Sequence, residues 1–164
     1  MQAFDITETK FFMAKLLTDA TFDTFLVSSA SVTTFATFQI DGKLHPDYFD
    51  SDDDAAVSSD YCTWKVIRPH VMNLIRGKHK PLGFHIVLRL ASYNVESMLT
   101  RSGLPLKPED VAGLFLTIHY EADKVRIITG SSLNVFTLDR TLDQVWDDMV
   151  GKLLHREKIA YTQE

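Results

Sequence analysis

From Gly83 to Leu90 the apolar residues Phe84, Ile86, Leu88 and Leu90 alternate with His85, Val87 and Arg89, the period-two pattern of a strand buried on one face. Such a strand belongs in a sheet that is covered on one side and open to water on the other, which is a habit of antiparallel sheets. Amphipathic helices are available as the cover. Phe12, Met13, Leu16 and Leu17 recur at spacings of three and four behind Thr7, which is placed to N-cap them. A second stripe runs through Trp64, Ile67, Val71, Leu74 and Ile75; Pro69 is expected to kink or divide it, and Gly77 fits the position beyond its end. The third uses Val95, Met98 and Leu99, with Ser92 as its cap and Gly103, Pro105 and Pro108 as its stop. The fourth starts at a capping box, Thr141 with Gln144, and presents Leu142, Val145, Trp146, Met149, Leu153 and Leu154 on one side. Its acidic residues Asp143, Asp147 and Asp148 come early and its basic ones late, as a helix dipole favours.

Further strands are expected at Gln2 to Ile6, near 23–28, 31–40 and 43–49, and near 113–121, 124–130 and 132–138, with Asp41-Gly42 as a two-residue hairpin turn. The fold class is therefore α+β, a mostly antiparallel sheet with helices on one face. Halves 1–82 and 83–164 both read strand, helix, three strands, helix. A shift of 82 residues lays Trp64 on Trp146, Leu17 on Leu99 and Asp41 on Asp123. The repeat is one of element order, since identities at that shift do not exceed those of unrelated chains. With 45% hydrophobic residues and 11 Phe in 164 positions, one globular domain spanning 1–164 can build its core without metal or disulfide staples. Cys62 is alone and cannot form a disulfide within the chain. The opening residues lack a basic then apolar leader, and no apolar run approaches the ~18 residues of a membrane span. The expectation is a cytoplasmic protein without a membrane segment.

Charge is the most uneven feature. Between Asp60 and Glu96 there is no acidic residue, while Lys65, Arg68, Arg76, Lys78, Lys80 and Arg89 are basic, so with a net charge of -5 the rest of the chain carries −11. Lys65, Arg68, Arg76, Lys78 and Lys80 are candidates for holding a phosphate or a nucleic-acid backbone, with an affinity that falls with salt. The alternative is a solvated helix face balanced by acidic neighbours such as the Asp50 to Asp54 run. The overall acidic balance weakens long-range attraction to nucleic acid. Asp50, Asp52, Asp53 and Asp54 could hold a hard cation, but the run lacks the glycine and distal glutamate of an EF-hand and reads as a solvated loop.

No reactive constellation is recognisable. The six histidines, at 45, 70, 79, 85, 119 and 155, include no i, i+4 pair, and there is no second cysteine, so no metal site is expected. His70, His79 and His85 flank the basic block; His85 and His119 fall on the polar side of their strands. Cys62 reads as a residue near a helix start, and Thr129-Gly130-Ser131-Ser132 as a turn without the Gly-Lys-Ser/Thr of a phosphate loop. No dinucleotide fingerprint is present, so no cofactor and no catalytic residue are expected. Phe35, Phe38, Phe115 and Tyr120 form either a stacking platform or core.

The segments Ile40-Asp41-Gly42, Trp64-Lys65-Val66-Ile67-Arg68-Pro69 and Phe136-Thr137-Leu138-Asp139 through Trp146-Asp147-Asp148-Met149-Val150, with the opening Met1-Gln2-Ala3-Phe4, resemble a bacterial family of unknown function over nearly the whole chain. That resemblance implies a bacterial, single-domain, cytoplasmic protein and carries no activity, cofactor or catalytic residue. In element order the chain is also similar to TATA-binding-protein-like and sliding-clamp layouts, an analogy of shape that licenses no function. Together these readings favour a non-catalytic binding or assembly module, with self-association through free sheet edges or an unknown protein partner. The first rival is a nucleic-acid-associated protein using the 65–80 segment, and the least favoured is a hydrolase or transferase whose residues converge only in three dimensions.

Overall fold

A computed structural model describes residues 1–50 and 59–164. The described strands are β1 (Ala3–Ile6), β2 (Leu26–Thr33), β3 (Thr37–Asp41), β4 (Gly83–Arg89), β5 (Val111–Glu121), β6 (Lys124–Leu133) and β7 (Tyr161–Gln163). They form one sheet in the order β3-β2-β4-β5-β6-β1-β7, with every neighbouring pair antiparallel. The helices are α1 (Thr9–Leu17), α2 (Trp64–Ile75), α3 (Ser92–Ser102) and α4 (Thr141–Arg156).

Alternation along the strands decides where the helices go. Phe84, Ile86 and Leu88 of β4, Leu114, Leu116 and Ile118 of β5, and Val125 and Ile127 of β6 are buried in a single cluster with Phe12 and Leu16 of α1, Val71 of α2, Leu99 of α3 and Trp146 of α4. The residues between them on the strands point the other way. His85 and His119 are exposed there, and Val87, Thr117 and Ile128 are half-buried. One face of the sheet is thus layered with helices and the opposite face is open, as the Gly83 to Leu90 alternation requires.

Several local expectations are corrected. Thr7 does not cap α1; the residue before the helix is Glu8, without a side-chain cap bond. The strands expected at 31–40 and 43–49 are replaced by a β2–β3 hairpin that turns at Thr34 to Ala36, where Thr34 N–H donates to the Ala36 carbonyl (2.9 Å). Asp41-Gly42 is therefore not the hairpin turn. Its local signal comes from the Asp41 carboxylate accepting from Lys43 N–H (3.0 Å), and its glycine is needed for another reason. A Cβ on Gly42 would lie 1.8 Å from the Val27 carbonyl oxygen.

Pro69 lies inside α2 without dividing it. Ser92 and Thr141 are first helical residues, not caps: Ala91 and Arg140 precede them, and Asp139 accepts from both the backbone N–H and the hydroxyl of Thr141, so no Thr141–Gln144 box forms. The strands expected at 124–130 and 132–138 are one strand, β6, ending at Leu133. Among the described residues each half consequently carries two strands, not three, between its helices. The halves also occupy the sheet differently, since β4, β5 and β6 are consecutive while β1 is separated from β2 and β3 by all three.

Candidate functional site

The Asp60 to Thr63 segment enters where β2 loses β3 as its partner. Cys62 N–H donates to the Gly42 carbonyl and the Cys62 carbonyl accepts from Val27 N–H, both at 2.8 Å, so the chain runs as a short extra rung between β2 and residues 42–44. Without a side chain, Gly42 lets its own backbone lie against the Val27 carbonyl beside this rung. The rung delivers α2 to the same end of the sheet at which β4 runs out into α3. Between the two helix starts lies a cleft of about 520 Å³, within the range of small-molecule sites.

The cleft's walls combine Asp60, Tyr61 and Lys65 from the first side with Arg89, Ser92 and Tyr93 from the second. Arg89 is held in place by three contacts. One guanidinium nitrogen donates to the Ala112 carbonyl (2.8 Å), and the group lies over the rings of Tyr61 (4.4 Å to the centroid) and Phe115 (5.3 Å). Gly113 makes room for this stack, since a Cβ there would stand 2.6 Å from the Phe115 ring. One of five donors is engaged among the described residues, and a guanidinium so oriented keeps donors for a ligand.

Neither helix start is closed by a side chain. The first turns of α2 and α3 hold no acidic residue and receive no side-chain cap. Lys65, the second residue of α2, sets a cation beside the positive end of the helix dipole, an arrangement that does not help the helix. Asp23 also lines the cleft, but its carboxylate is clamped by Arg68 through two hydrogen bonds of 3.0 and 2.9 Å. That leaves Lys65 and Arg89 against Asp60, one more positive side chain than negative.

The five basic residues singled out in the sequence do not form one surface. Arg68 is a structural clamp, bound to Asp23 and donating to the Leu17 carbonyl (3.3 Å). Lys80 pairs with Asp123 at 3.2 Å. Lys65 lies at the start of α2 and Arg76 just past its end, about 16 Å apart along a helix of this length. Arg76 and Lys78 are exposed and make no ion pair among the described residues. Only Lys65 joins the cleft; Arg89, Tyr61, Asp60, Tyr93 and Gly113 were missed as site residues because they come from three separate stretches of chain. The available signal was a lysine in the first turn of a helix, where a cation is disfavoured.

Shifted ionisable groups lie elsewhere. Lys80 and the Tyr120 hydroxyl hold the Asp123 carboxyl below the usual carboxylate range, and burial, aided by Asp123, pushes the Tyr120 phenol up. Hydrogen bonds from the side chain and backbone of Thr141 lower Asp139. Asp5 raises Arg126 further, and burial raises the Cys62 thiol. His85 and His119 meet edge-to-face across β4 and β5, 5.7 Å between ring centroids, on the open face. Among the described residues no group of three His, Cys, Asp or Glu could hold a metal ion. The Asp52 to Asp54 part of the acidic run lies outside the described residues. The four aromatics do not make a platform: Tyr120 stacks on Phe84 in the core, Phe115 supports Arg89, and Phe35 and Phe38 meet at the β2–β3 hairpin. No helix among the described residues is long and apolar enough to cross a membrane.

Compared with known proteins, residues 15–162 match the model of a family described as a family of unknown function, DUF5721. No curated protein and no solved structure matches the chain.

Proposed function

Because the chain belongs to DUF5721, a family of unknown function, its activity has to be read from its own residues, and we propose that it is a non-catalytic binding module of the bacterial cytoplasm whose ligand occupies the cleft between the starts of α2 and α3. The observation that carries this reading is the cleft itself, a cavity of about 520 Å³ walled by Tyr61, Lys65, Arg89 and Ser92. Among the described residues its lining holds Ser59 and Ser92 without a histidine to activate either hydroxyl. What it offers is recognition: hydroxyls, aromatic faces and two cations.

The test is a thermal-shift screen of small molecules run in parallel on the wild-type protein and on Ser92→Trp, which fills the mouth of the cleft from an exposed position. Ligands that stabilise the wild type and not the variant support the reading. Equal stabilisation of both by every ligand found sinks it.

Two further readings rest on particular observations. Phe35, in the turn into β3, is 93% exposed, and β3 is an edge strand among the described residues, which together favour self-association. A monomer mass unchanged over concentration in light scattering would remove it. Nucleic acid is the alternative partner, which the exposed Lys65, Arg76 and Lys78 would have to contact from the two ends of α2. Titrating oligonucleotides at low and high salt with Lys65→Glu, Arg76→Glu, Lys78→Glu decides that reading, which requires binding that weakens with salt and is lost in the variant.

A further inference from the structure

The cleft's charge points to a class of ligand, an inference that rests on the binding reading above. We propose that the cleft takes a small molecule bearing a dianionic phosphate group, held by the Lys65 ammonium and the Arg89 guanidinium.

The two side chains come from opposite walls, Lys65 from α2 and Arg89 from the end of β4, and they reach the same cavity. Each is suited to an anion in a different way. The guanidinium is fixed by Ala112, Tyr61 and Phe115, so little side-chain entropy remains to be lost on binding. The ammonium of Lys65 is an exposed point charge on a flexible stem and has no ion-pair partner among the described residues. The other carboxylate that would compete for them, Asp23, is already taken by Arg68. Asp60 remains to accept hydrogen bonds from hydroxyl groups of the ligand, and Tyr93, 62% exposed at the cleft, offers a ring face. A phosphate also offsets the mismatch of a lysine in the first turn of α2. Phosphate is favoured over a carboxylate because its three acceptor oxygens can be divided between cations that stand on two walls.

The experiment is calorimetric titration of the full chain with inorganic phosphate, adenosine 5′-monophosphate and adenosine, at low and high salt. The monophosphate is expected to bind at least about tenfold more tightly than adenosine, a difference of about 1.4 kcal/mol. Lys65→Gln should remove most of that advantage. Ser92→Asp provides a check on folding, since a carboxylate in the first turn of α3 should leave the helix at least as stable while repelling phosphate from the cleft. Binding of the monophosphate that is equal to adenosine, or unchanged in Lys65→Gln and Ser92→Asp, overturns the proposal. If neutral ligands are displaced by Ser92→Trp while phosphate compounds are not, the phosphate class fails and the binding module stands; if Ser92→Trp affects neither, both fail.

Discussion

Helices α2 and α4 do similar work for the core and opposite work at their starts. Each buries a tryptophan, Trp64 and Trp146, and each indole N–H donates to a backbone carbonyl, that of Leu16 (2.8 Å) or of Phe115 (3.0 Å). Around α4 the polar groups are satisfied inside the protein. Asp139 caps Thr141, Asp143 accepts from Ser131 and Asp147 from Thr129, fastening the helix to β6. At the start of α2 the Trp64 N–H is taken by the Phe25 carbonyl (2.8 Å), but there is no side-chain cap and no acidic residue in the first turn, and Lys65 opens into a cleft. A polar group held by its own chain is explained by stability. Lys65, exposed beside the cavity, is left to solvent and, under the binding reading proposed above, to a ligand.

The shared role of the tryptophans is the part of this comparison with the largest expected effect. Trp64→Ala and Trp146→Ala should each cost about 3–5 kcal/mol, the range for removing a large buried aromatic, measured by urea unfolding. A loss well under that range at one site would mean that its surroundings collapse into the space and that the two helices do not anchor alike. The difference at the helix starts is probed by a second pair. Thr129 is buried, and its hydroxyl donates to Asp147 and accepts from Gln2 N–H (2.9 Å). Thr129→Val removes both and should cost about 1–3 kcal/mol, whereas Lys65→Ala should stay within about 0.5 kcal/mol. If Lys65→Ala is as damaging as Thr129→Val, Lys65 belongs to the fold and the contrast is wrong.

What could be read from the sequence was whatever depends on neighbours in the chain. The alternation in β4, the buried faces of α1 and α3 and the αL glycine that ends α3, Gly103 at φ 65, are local and came through. The pair Asp41 and Asp123, superposed by the 82-residue shift, marks the limit. Ala122 and Asp123 both have positive φ and make the true two-residue turn between β5 and β6. Asp41 is followed by a glycine, as Asp123 is not, and so carries the stronger turn signal of the two, yet that glycine serves a close approach to the Val27 carbonyl of β2. β7 was missed because its three residues carry little pattern and pair with β1 from the far end of the chain. The cleft was illegible for the same reason. Lys65 stood out within a basic block, but the partner that gives it meaning, Arg89, was counted with that block as charge and not as a neighbour across a cavity.

The smallest expected effect sharpens the comparison through pH. Asp139 is exposed, and its carboxylate accepts from the Thr141 backbone N–H (3.0 Å) and hydroxyl (2.6 Å), which lower its pKa in the folded protein. An unfolded-state aspartate titrates near 3.9. Because the folded value is lower, the folded state favours the charged form. The contribution to stability is therefore fully present above about pH 4 and fades as the pH falls through the folded value. Asp139→Asn should lower stability at neutral pH, and the gap between variant and wild type should close on acidification below about pH 4. Ser92→Asp on α3 should behave in the opposite sense, adding stability at neutral pH that disappears over a similar acid range, since it supplies to an uncapped helix start the charge that α4 already has. A gap for Asp139→Asn that stays constant with pH would mean that α4 is held by the geometry of its cap and not by its charge. The electrostatic contrast between the closed start of α4 and the open starts at the cleft would then lose its support.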